Sequence, residues 1–340
     1  MFIHWADSFN LASKLTLKRL INLGQVLISY IISRLTGRAL LQGMPISITI
    51  EPTTACNLRC PECPSGLRSF TRPTGKMSLE LFKKTINELA PSTSYLIFYF
   101  QGEPYLHPDF IEMIQQAHLK KFYTATSTNA HFLDNANAKK TVESGLDRLI
   151  ISIDGTTQDT YSNYRKEGSL EKVIEGTKNI LKWRKKLHSK TPAVVWQFLV
   201  VRPNEQQIPE IKHLAKKIGV DKLALKTAQI YDYENGHPLI PTIERYSRYR
   251  KKSEGVYEVK NKLLDHCWKM WSSSVITWDG QVVPCCFDKD AHHKLGELSV
   301  QTFREIWQST PYQDFRSTLL KGRDQIEMCK NCSEGTKIWA

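Results

Sequence analysis

The run Thr54-Ala55-Cys56-Asn57-Leu58-Arg59-Cys60-Pro61-Glu62-Cys63-Pro64 places three cysteines at the spacing C-x3-C-x2-C. It follows residues 46–50, whose alternating apolar side chains predict a strand. Three thiolates on one short loop can hold three corners of a cubane iron–sulfur cluster and leave the fourth iron open to a substrate. The alternative is a zinc knuckle, although structural zinc sites usually close four ligands at other spacings.

Downstream of this loop, apolar periods of two and of 3.6 residues alternate along the chain, which predicts strands separated by helices. Alternation of this kind indicates an α/β fold with a parallel sheet and right-handed crossovers, in which functional loops follow the carboxyl ends of the strands. The predicted strands are residues 46–50, 95–100, 122–126, 148–153, 193–201 and 222–226, and the predicted helices are residues 78–89, 108–120, 135–144, 170–187 and 207–218.

In these features the sequence resembles the radical S-adenosylmethionine (SAM) enzymes. The resemblance implies a partial (β/α)6 TIM-like barrel and a [4Fe-4S] cluster on Cys56, Cys60 and Cys63. It implies that SAM chelates the open iron, is cleaved reductively, and yields a 5′-deoxyadenosyl radical that abstracts a hydrogen atom from substrate. One residue departs from the family pattern, because Glu62 stands where an apolar or aromatic side chain usually precedes the third cysteine.

Two further strand ends match SAM-binding motifs of the family. Residues Gly102, Glu103 and Pro104 match the end of a G-G-E-P motif, with glutamine at 101 in place of the first glycine. Thr128 and Asn129 match a T-N-G motif, with alanine at 130 in place of its glycine. The resemblance implies that the backbone and the acid of the first motif receive the SAM amino group.

The fourth predicted strand ends in an S-x-D-G motif. The resemblance makes Ser152 and Asp154 candidates for polar contacts with the SAM ribose or carboxylate. Arg165 matches an arginine that pairs with the methionyl carboxylate, for which a guanidinium is suited because it binds carboxylates bidentately. Taken alone, an S-x-D-G run is more often an ordinary turn.

The last third of the chain carries a second group of cysteines, namely Cys267, Cys285, Cys286, Cys329 and Cys332. Two distant cysteines and a C-x2-C pair supply four thiolates, which suit either a closed iron–sulfur cluster or a zinc site. The segment is similar to the SPASM and twitch extensions of radical SAM enzymes. That resemblance implies one auxiliary [4Fe-4S] cluster on Cys267, Cys285, Cys329 and Cys332, with Cys286 as a bystander or as a replacement for Cys285.

The N-terminal segment, residues 11–37, predicts an amphipathic helix. Polar residues at 14, 18, 22, 25, 29, 33 and 36 form one stripe, and leucines and isoleucines fill the remainder. Such a helix, flanked by Lys18, Arg19, Arg34 and Arg38, can lie on an anionic membrane surface or pack on its own protein. We therefore divide the chain into an N-terminal extension (1–45), a barrel (46–235) and a cluster-binding domain (236–340).

The chain of 340 residues has a net charge of +13 and a pI near 9.3. Basic runs at residues 182–186 and 245–252 are not accompanied by a nucleic-acid motif, so solvated helix faces explain them and nucleic acid is not an expected partner. No cleavable signal sequence is evident and the cysteines have ligand-like spacings, which predicts a reducing cytoplasm, with peripheral contact at the inner membrane surface.

These observations predict an enzyme that uses SAM and two [4Fe-4S] clusters, with a reductant such as flavodoxin or ferredoxin. The expected substrate is a small molecule (a sugar, cyclitol or lipid precursor) or a peptide. A net oxidation needs a base, for which Asp288, three residues after Cys285, is a candidate that equally suits a surface turn. The alternative is a non-catalytic zinc- or iron–sulfur-binding protein associated with RNA or membrane.

Overall fold

A computed structural model describes residues 5–338 of the chain, and residues 1–4 and 339–340, which the sequence analysis includes in the terminal domains, lie outside the described residues. Within that range, nine strands form one sheet in the order β11-β10-β9-β1-β2-β3-β4-β5-β6, and two form a separate hairpin. The strands are β1 (Ser47–Ile50), β2 (Tyr95–Ile97), β3 (Tyr123–Thr128), β4 (Arg148–Ser152), β5 (Ala193–Val200), β6 (Lys222–Thr227), β7 (Tyr249–Ser253), β8 (Val256–Val259), β9 (Ser273–Ile276), β10 (Gln281–Val283) and β11 (Gly296–Glu297).

Helices connect the strands, and several begin at the residues that the sequence marks as caps. Ser78 accepts a hydrogen bond from the Leu81 amide at the start of one helix, and Gly219 ends another in the left-handed conformation. The helices are α1 (Trp5–Ser13), α2 (Leu17–Thr36), α3 (Pro64–Leu67), α4 (Leu79–Leu89), α5 (Phe110–Leu119), α6 (Asn135–Glu143), α7 (Gln158–Tyr164), α8 (Leu170–Lys186), α9 (Ile208–Ile218), α10 (Lys269–Ser272), α11 (Phe303–Trp307), α12 (Thr310–Lys321) and α13 (Glu327–Lys330).

Strands β1 to β6 are all parallel and lie side by side in chain order, which confirms the predicted α/β partial barrel. Their helices cover the apolar outer face of the sheet, where Phe82, Ile114, Val173 and Ile211 are fully buried. The second strand ends at Ile97 rather than at residue 100, because the chain leaves the sheet there to enter the loop that carries Gly102.

The C-terminal region continues the same sheet. β9 pairs with β1 in parallel register, from Ser47 opposite Ser273 to Ile50 opposite Ile276, and β10 and β11 follow as antiparallel strands. β1 would otherwise be an edge strand with unpaired backbone groups, so β9 completes its hydrogen bonding. The predicted domain division at residues 235 and 236 stays a prediction, since the main sheet includes strands from both sides.

The basic run at residues 245–252 does not form a helix face. It forms a 3-10 turn and most of β7, where Arg250, Lys251 and Lys252 are exposed. The run at residues 182–186 does lie on a helix, at the end of α8.

The N-terminal segment forms two helices instead of the single predicted one. α1 and α2 meet at an angle of 99°. α2 begins after Thr16, which accepts a hydrogen bond from the Arg19 amide, and it ends at Gly37 in the left-handed conformation. No single helix among residues 5–338 is long and apolar enough to cross a membrane, and α1 and α2 meet that test only as a bent pair.

α2 is docked by its polar side. Ser33 exchanges hydrogen bonds with the Leu40 backbone, Ser29 accepts one from the Gln42 amide, and Asn22 holds both the amide and the carbonyl of Met44. The segment at residues 40–44 thus pairs its alternate backbone groups with one face of the helix. Asn22, Ser29 and Ser33 of the predicted polar stripe are therefore buried, together with Val26 and Tyr30, whereas Lys18, Gln25 and Thr36 of the stripe are exposed.

Arg19 anchors the start of α2. It is 2% exposed, and its guanidinium donates hydrogen bonds to the carbonyl oxygens of Lys14 (2.8 Å), Ala90 (2.9 and 3.2 Å), Lys120 (3.2 Å) and Lys121 (2.5 Å). These carbonyls belong to the ends of three separate segments. Arg19 is therefore not one of the cations available to a lipid surface, which corrects that expectation for this residue.

We expect Arg19→Met to lower the free energy of unfolding by roughly 1–3 kcal/mol, because buried carbonyl oxygens lose their donor. The measurement is the urea midpoint of the full chain. Lys18→Met is the matched control, since Lys18 is the exposed neighbour. Equal midpoints for the two variants would contradict the anchoring role.

Candidate functional site

The cysteine loop begins immediately after β1, at the carboxyl edge of the parallel sheet. Cys60 is buried, and Cys56 and Cys63 are partly buried. Burial raises the pKa of Cys56 to about 12 and also raises the pKa of Cys60. These thiols are therefore protonated at neutral pH in the metal-free protein, and ligation of iron would release their protons.

The loop after β2 packs against the cysteine loop. Gly102 adopts φ +75°, and a Cβ there would lie 2.2 Å from the Thr53 carbonyl oxygen and 2.8 Å from that of Ala55. Its amide donates to the Ser65 hydroxyl at 2.8 Å. Glycine at this position thus serves contact between two loops of the protein, whereas the resemblance attributes it to contact with a ligand.

Glu103 is the centre of a polar cluster at the ends of β2 and β3. Its carboxylate accepts hydrogen bonds from the Thr128 hydroxyl (2.7 Å) and the Asn129 amide (2.8 Å), and Pro104 begins the 3-10 turn that follows. Burial raises the pKa of Glu103 to about 7, although the hydrogen bonds act in the opposite direction. The structure therefore brings together the residues of the two predicted motifs around a buried acid. Ala130, which stands in place of the glycine of the family motif, adopts φ +64°, a left-handed conformation that favours glycine.

Arg165 and Asp154 form an ion pair beside the cysteines. Arg165 Nε lies 2.5 Å from Asp154 Oδ2, and its Nη1 lies 3.6 Å from Cys60 Sγ. The other carboxylate oxygen of Asp154 accepts the Leu199 amide at 2.6 Å. Both oxygens of this buried carboxylate are engaged, so its geometry favours orienting Arg165 over contacting SAM directly. Ser152 is buried at the end of β4.

Two of the three departures from the family motifs, Glu62 and Gln101, have structural partners next to the cysteine loop. The Glu62 carboxylate accepts the Tyr231 amide at 3.0 Å and lies 3.7 Å from His237, so it holds the segment after β6 against the cysteine loop. The side-chain oxygen of Gln101 lies 3.9 Å from Cys63 Sγ. Both residues therefore make contacts within the protein next to the third cysteine.

The C-terminal cysteines converge in a separate place. Cys267 precedes β9 and Cys285 follows β10, and the antiparallel pairing of these strands brings the two cysteines to the same end of the hairpin. The side chains of Cys267, Cys285, Cys329 and Cys332 line one small closed cavity, whose wall does not include Cys286. Cys286 is exposed. Cys285 rather than Cys286 thus lines this cavity, and the choice of cluster ligands stays a prediction.

Several groups approach the sulfurs of this second cluster of cysteines. Arg323 donates to Cys332 Sγ at 3.1 Å, and the Glu334 amide lies 3.3 Å from the same sulfur. A Cβ on Gly335 would lie 2.2 Å from Cys267 Sγ, so only glycine permits this approach of the backbone. Nitrogen donors around thiolate sulfur are typical of iron–sulfur sites, where they stabilise the negative charge. Burial raises the pKa of Cys329 to about 11.

A mononuclear metal site is a poorer description of either set. Among residues 5–338, no three His, Cys, Asp or Glu side chains come close enough together to hold one ion. A zinc site needs its ligands around a single point, whereas a cubane cluster keeps its thiolates further apart. The donor sets therefore fit clusters better than zinc.

A buried ion pair that the sequence analysis did not identify joins the two regions. Glu51, the residue after β1, binds Arg72 through two contacts of 2.6 and 2.8 Å, and it also accepts the Trp278 amide. Arg72 Nε donates to the Lys289 carbonyl at 3.2 Å. The only sequence signal for this contact is an acid placed directly between a strand and a cysteine loop.

An open cavity of about 660 Å³ lies between the two sets of cysteines. Its lining includes Pro64 and Leu67, which follow Cys63, and Tyr231 and Tyr233 from the segment after β6. Further lining residues are close in sequence to the C-terminal cysteines, namely Phe287, Asp288, Lys289, Asp290, His292, His293, Glu327, Met328, Lys330 and Asn331. The two carboxylate oxygens of Asp288 accept the amides of His292 (2.8 Å) and His293 (2.9 Å), which favours the turn role over that of a base.

Comparison with protein families agrees with this architecture. Residues 50–215 match the model of the radical SAM superfamily, and residues 267–333 match that of SPASM, described as an iron–sulfur cluster-binding domain. The first match runs from the end of β1 into α9 and includes the cysteine loop, whereas β6 lies beyond it. The second covers all five C-terminal cysteines.

Two other proteins are similar to this chain in sequence over most of its length. The chain is 26% identical over 315 residues to a tungsten-containing aldehyde ferredoxin oxidoreductase cofactor-modifying protein of Pyrococcus furiosus, covering 84% of this chain and 86% of that protein. It is 25% identical over 319 residues to a PqqA peptide cyclase of Bradyrhizobium diazoefficiens, covering 85% and 79%.

Solved structures share the fold. anSMEcpe with bound AdoMet aligns with a TM-score of 0.62 at 18% identity over 85% of this chain and 84% of that one. BtrN in complex with AdoMet and 2-DOIA aligns with a TM-score of 0.52 at 17% identity over 86% and 95%. With both family matches on the structural regions that carry its cysteines, the chain belongs to the radical SAM superfamily, as an enzyme that uses SAM and [4Fe-4S] clusters and carries a C-terminal SPASM domain.

Proposed function

We propose that this enzyme cleaves SAM reductively at the barrel cysteines and removes a hydrogen atom from a substrate held in the 660 Å³ cavity. The observation that supports this most is the position of that cavity, which has the cysteine loop on one side and the SPASM cysteines on the other. A volume of this size is typical of small-molecule sites. It also suits one reacting residue of a bound peptide.

Cys56, Cys60 and Cys63 would hold the SAM-binding cluster. A cluster held by these residues would supply one electron, drawn from a reductant of the flavodoxin or ferredoxin class, for cleavage of SAM into methionine and a 5′-deoxyadenosyl radical that would take a hydrogen atom from substrate. Glu103, whose carboxylate also accepts the Asn129 amide, would accept a hydrogen bond from the SAM amino group. Arg165, held by Asp154, places a positive charge beside Cys60 and suits the SAM carboxylate.

The SPASM cysteines Cys267, Cys285, Cys329 and Cys332 would hold the auxiliary cluster. Arg323 compensates the negative charge of its thiolates. Phe287 and Lys289 follow Cys285 directly and line the substrate cavity, so the auxiliary site is joined to the cavity wall through a few residues of chain.

For the substrate class, we propose a peptide or a cofactor-like small molecule. The two similar proteins are named for the modification of a cofactor and of a peptide, respectively. The cavity combines aromatic rings from Tyr231, Tyr233 and Phe287 with charged side chains of both signs, namely Lys289, Lys330, Glu234, Asp288, Asp290 and Glu327. A wall of this composition can stack on planar groups and pair with polar groups of either charge.

The first test uses anaerobically reconstituted protein with SAM and dithionite. We expect the wild type to release 5′-deoxyadenosine. The Cys56→Ala, Cys60→Ala, Cys63→Ala triple variant should release none and should keep about four irons, because the auxiliary thiolates remain. Cys286→Ala serves as the matched control and should retain the activity. Undiminished 5′-deoxyadenosine release by the triple variant would refute the assignment.

A second test concerns the choice between adjacent cysteines. Cys285→Ala should lose about four irons per chain, because a cluster that has lost one of its four thiolates is labile. Cys286→Ala should lose none, since its side chain is exposed and does not line the closed cavity. Iron and sulfide analysis of the two variants measures the difference. The reverse pattern would assign the ligand to Cys286.

A further inference from the structure

The outer face of α2 is a continuous apolar surface. Its side chains Leu17, Ile21, Ile28, Ile31, Ile32 and Leu35 are between 40% and 80% exposed and repeat at intervals of three, four and seven residues. Gly24 lies on the same stripe, where a Cβ would meet nothing within 4 Å. Exposed apolar residues of soluble proteins are usually scattered singly, so a stripe along a whole helix marks an interaction surface.

This face cannot be buried by rotation of the helix. The opposite face is fixed by the hydrogen bonds of Arg19, Asn22, Ser29 and Ser33 to backbone groups of the protein. Turning α2 inward would break all of these contacts and bury unpaired polar groups. Whatever covers the apolar face must therefore come from outside residues 5–338.

The positive charge around this face favours a partner that carries negative charge. Between Asp7 and Glu51 the chain contains no acidic residue, and Lys18, Arg34 and Arg38 are exposed at the two ends of α2. Lys121 is exposed near its start, where the Lys121 carbonyl accepts from Arg19. A second copy of the same surface would place like charges opposite one another, which opposes self-association. Acidic headgroups around an apolar interior complement both features.

The geometry also indicates how the helix would meet a bilayer. α2 is about 30 Å long at 20 residues, and buried residues from Arg19 to Ser33 attach it to the protein along most of that length. It can lie in the interface plane with its outer face immersed, but attached in this way it cannot stand across the membrane. Phe9 on α1, 70% exposed, adds a further apolar side chain to the N-terminal surface.

We propose that the outer face of α2 is a membrane-docking surface that binds anionic phospholipid bilayers peripherally. Apolar burial supplies the contact, and Lys18, Arg34 and Arg38 supply attraction to acidic headgroups. This inference does not depend on the proposed reaction, because the surface contains none of the cysteines or SAM-motif residues.

The test is sedimentation of the full chain with vesicles of phosphatidylcholine alone or mixed with phosphatidylglycerol. We expect binding to the mixed vesicles that weakens as sodium chloride is raised to about 0.5 M. A triple variant with Ile21→Ser, Ile28→Ser and Ile32→Ser should bind the mixed vesicles at least about tenfold more weakly, because apolar burial is lost. Arg34→Glu with Arg38→Glu should also weaken binding, and this variant keeps the apolar face intact if the triple variant folds poorly.

The matched control changes three exposed apolar residues elsewhere, Leu187→Ser, Val256→Ser and Val300→Ser, and should bind like the wild type. Absence of wild-type binding to the mixed vesicles, or equal binding by the wild type and both helix variants, would overturn the proposal. Light scattering of the protein without vesicles independently measures its oligomeric state. A dimer that becomes a monomer only in the triple isoleucine variant would show that a second copy covers this face, and would also overturn it.

Discussion

β1 pairs with β2 on one side and with β9 on the other, and both pairings are parallel. The strand therefore belongs to the barrel and to the SPASM region at once. The cysteine loop follows its last residue, and the hairpin of β9 and β10 gathers Cys267 and Cys285 at one end. Without the β1–β9 pairing, β1 would be an open edge and the two cysteine sets would have no fixed relation to the cavity between them.

Buried arginines fix the loops around this sheet. Arg72 joins Glu51 to the segment after Cys285, and Arg165 joins Asp154 to Cys60. At the SPASM cysteines, Arg323 donates a hydrogen bond to Cys332 Sγ. A guanidinium offers five donors in a rigid plane, so one side chain can bind a carboxylate and still reach a carbonyl or a sulfur. Positive charge beside buried thiols also offsets the negative charge that ligation of iron requires.

The N-terminal helix α2 differs from the amphipathic helices of the barrel in the side chains that it buries. α4 and α9 bury apolar side chains against the sheet, as Phe82 and Ile211 show. α2 also buries apolar side chains, Val26 and Tyr30, but in addition it buries Asn22, Ser29 and Ser33, because the segment beside it, residues 40–44, has backbone groups with no strand to pair with. The polar side chains supply those missing partners, and the apolar side is left to the outside.

Local pattern alone determined the order of strands and helices in the barrel, the positions of caps such as Ser78, and the two cysteine sets, because hydrophobic period and ligand spacing are properties of neighbouring residues. The family resemblance supplied the motifs around Glu103 and Arg165. Only the tertiary structure showed that Asp154 forms an ion pair with Arg165 and that Gly102 contacts another loop of the protein. It also showed that the Asp288 carboxylate accepts amides within a turn, and that the apolar side of α2 faces outward. Most of these contacts depend on a partner that is distant in sequence. For α2, the hydrophobic period predicts that the helix has two faces, but it does not predict which backbone groups elsewhere need hydrogen bonds from the polar face.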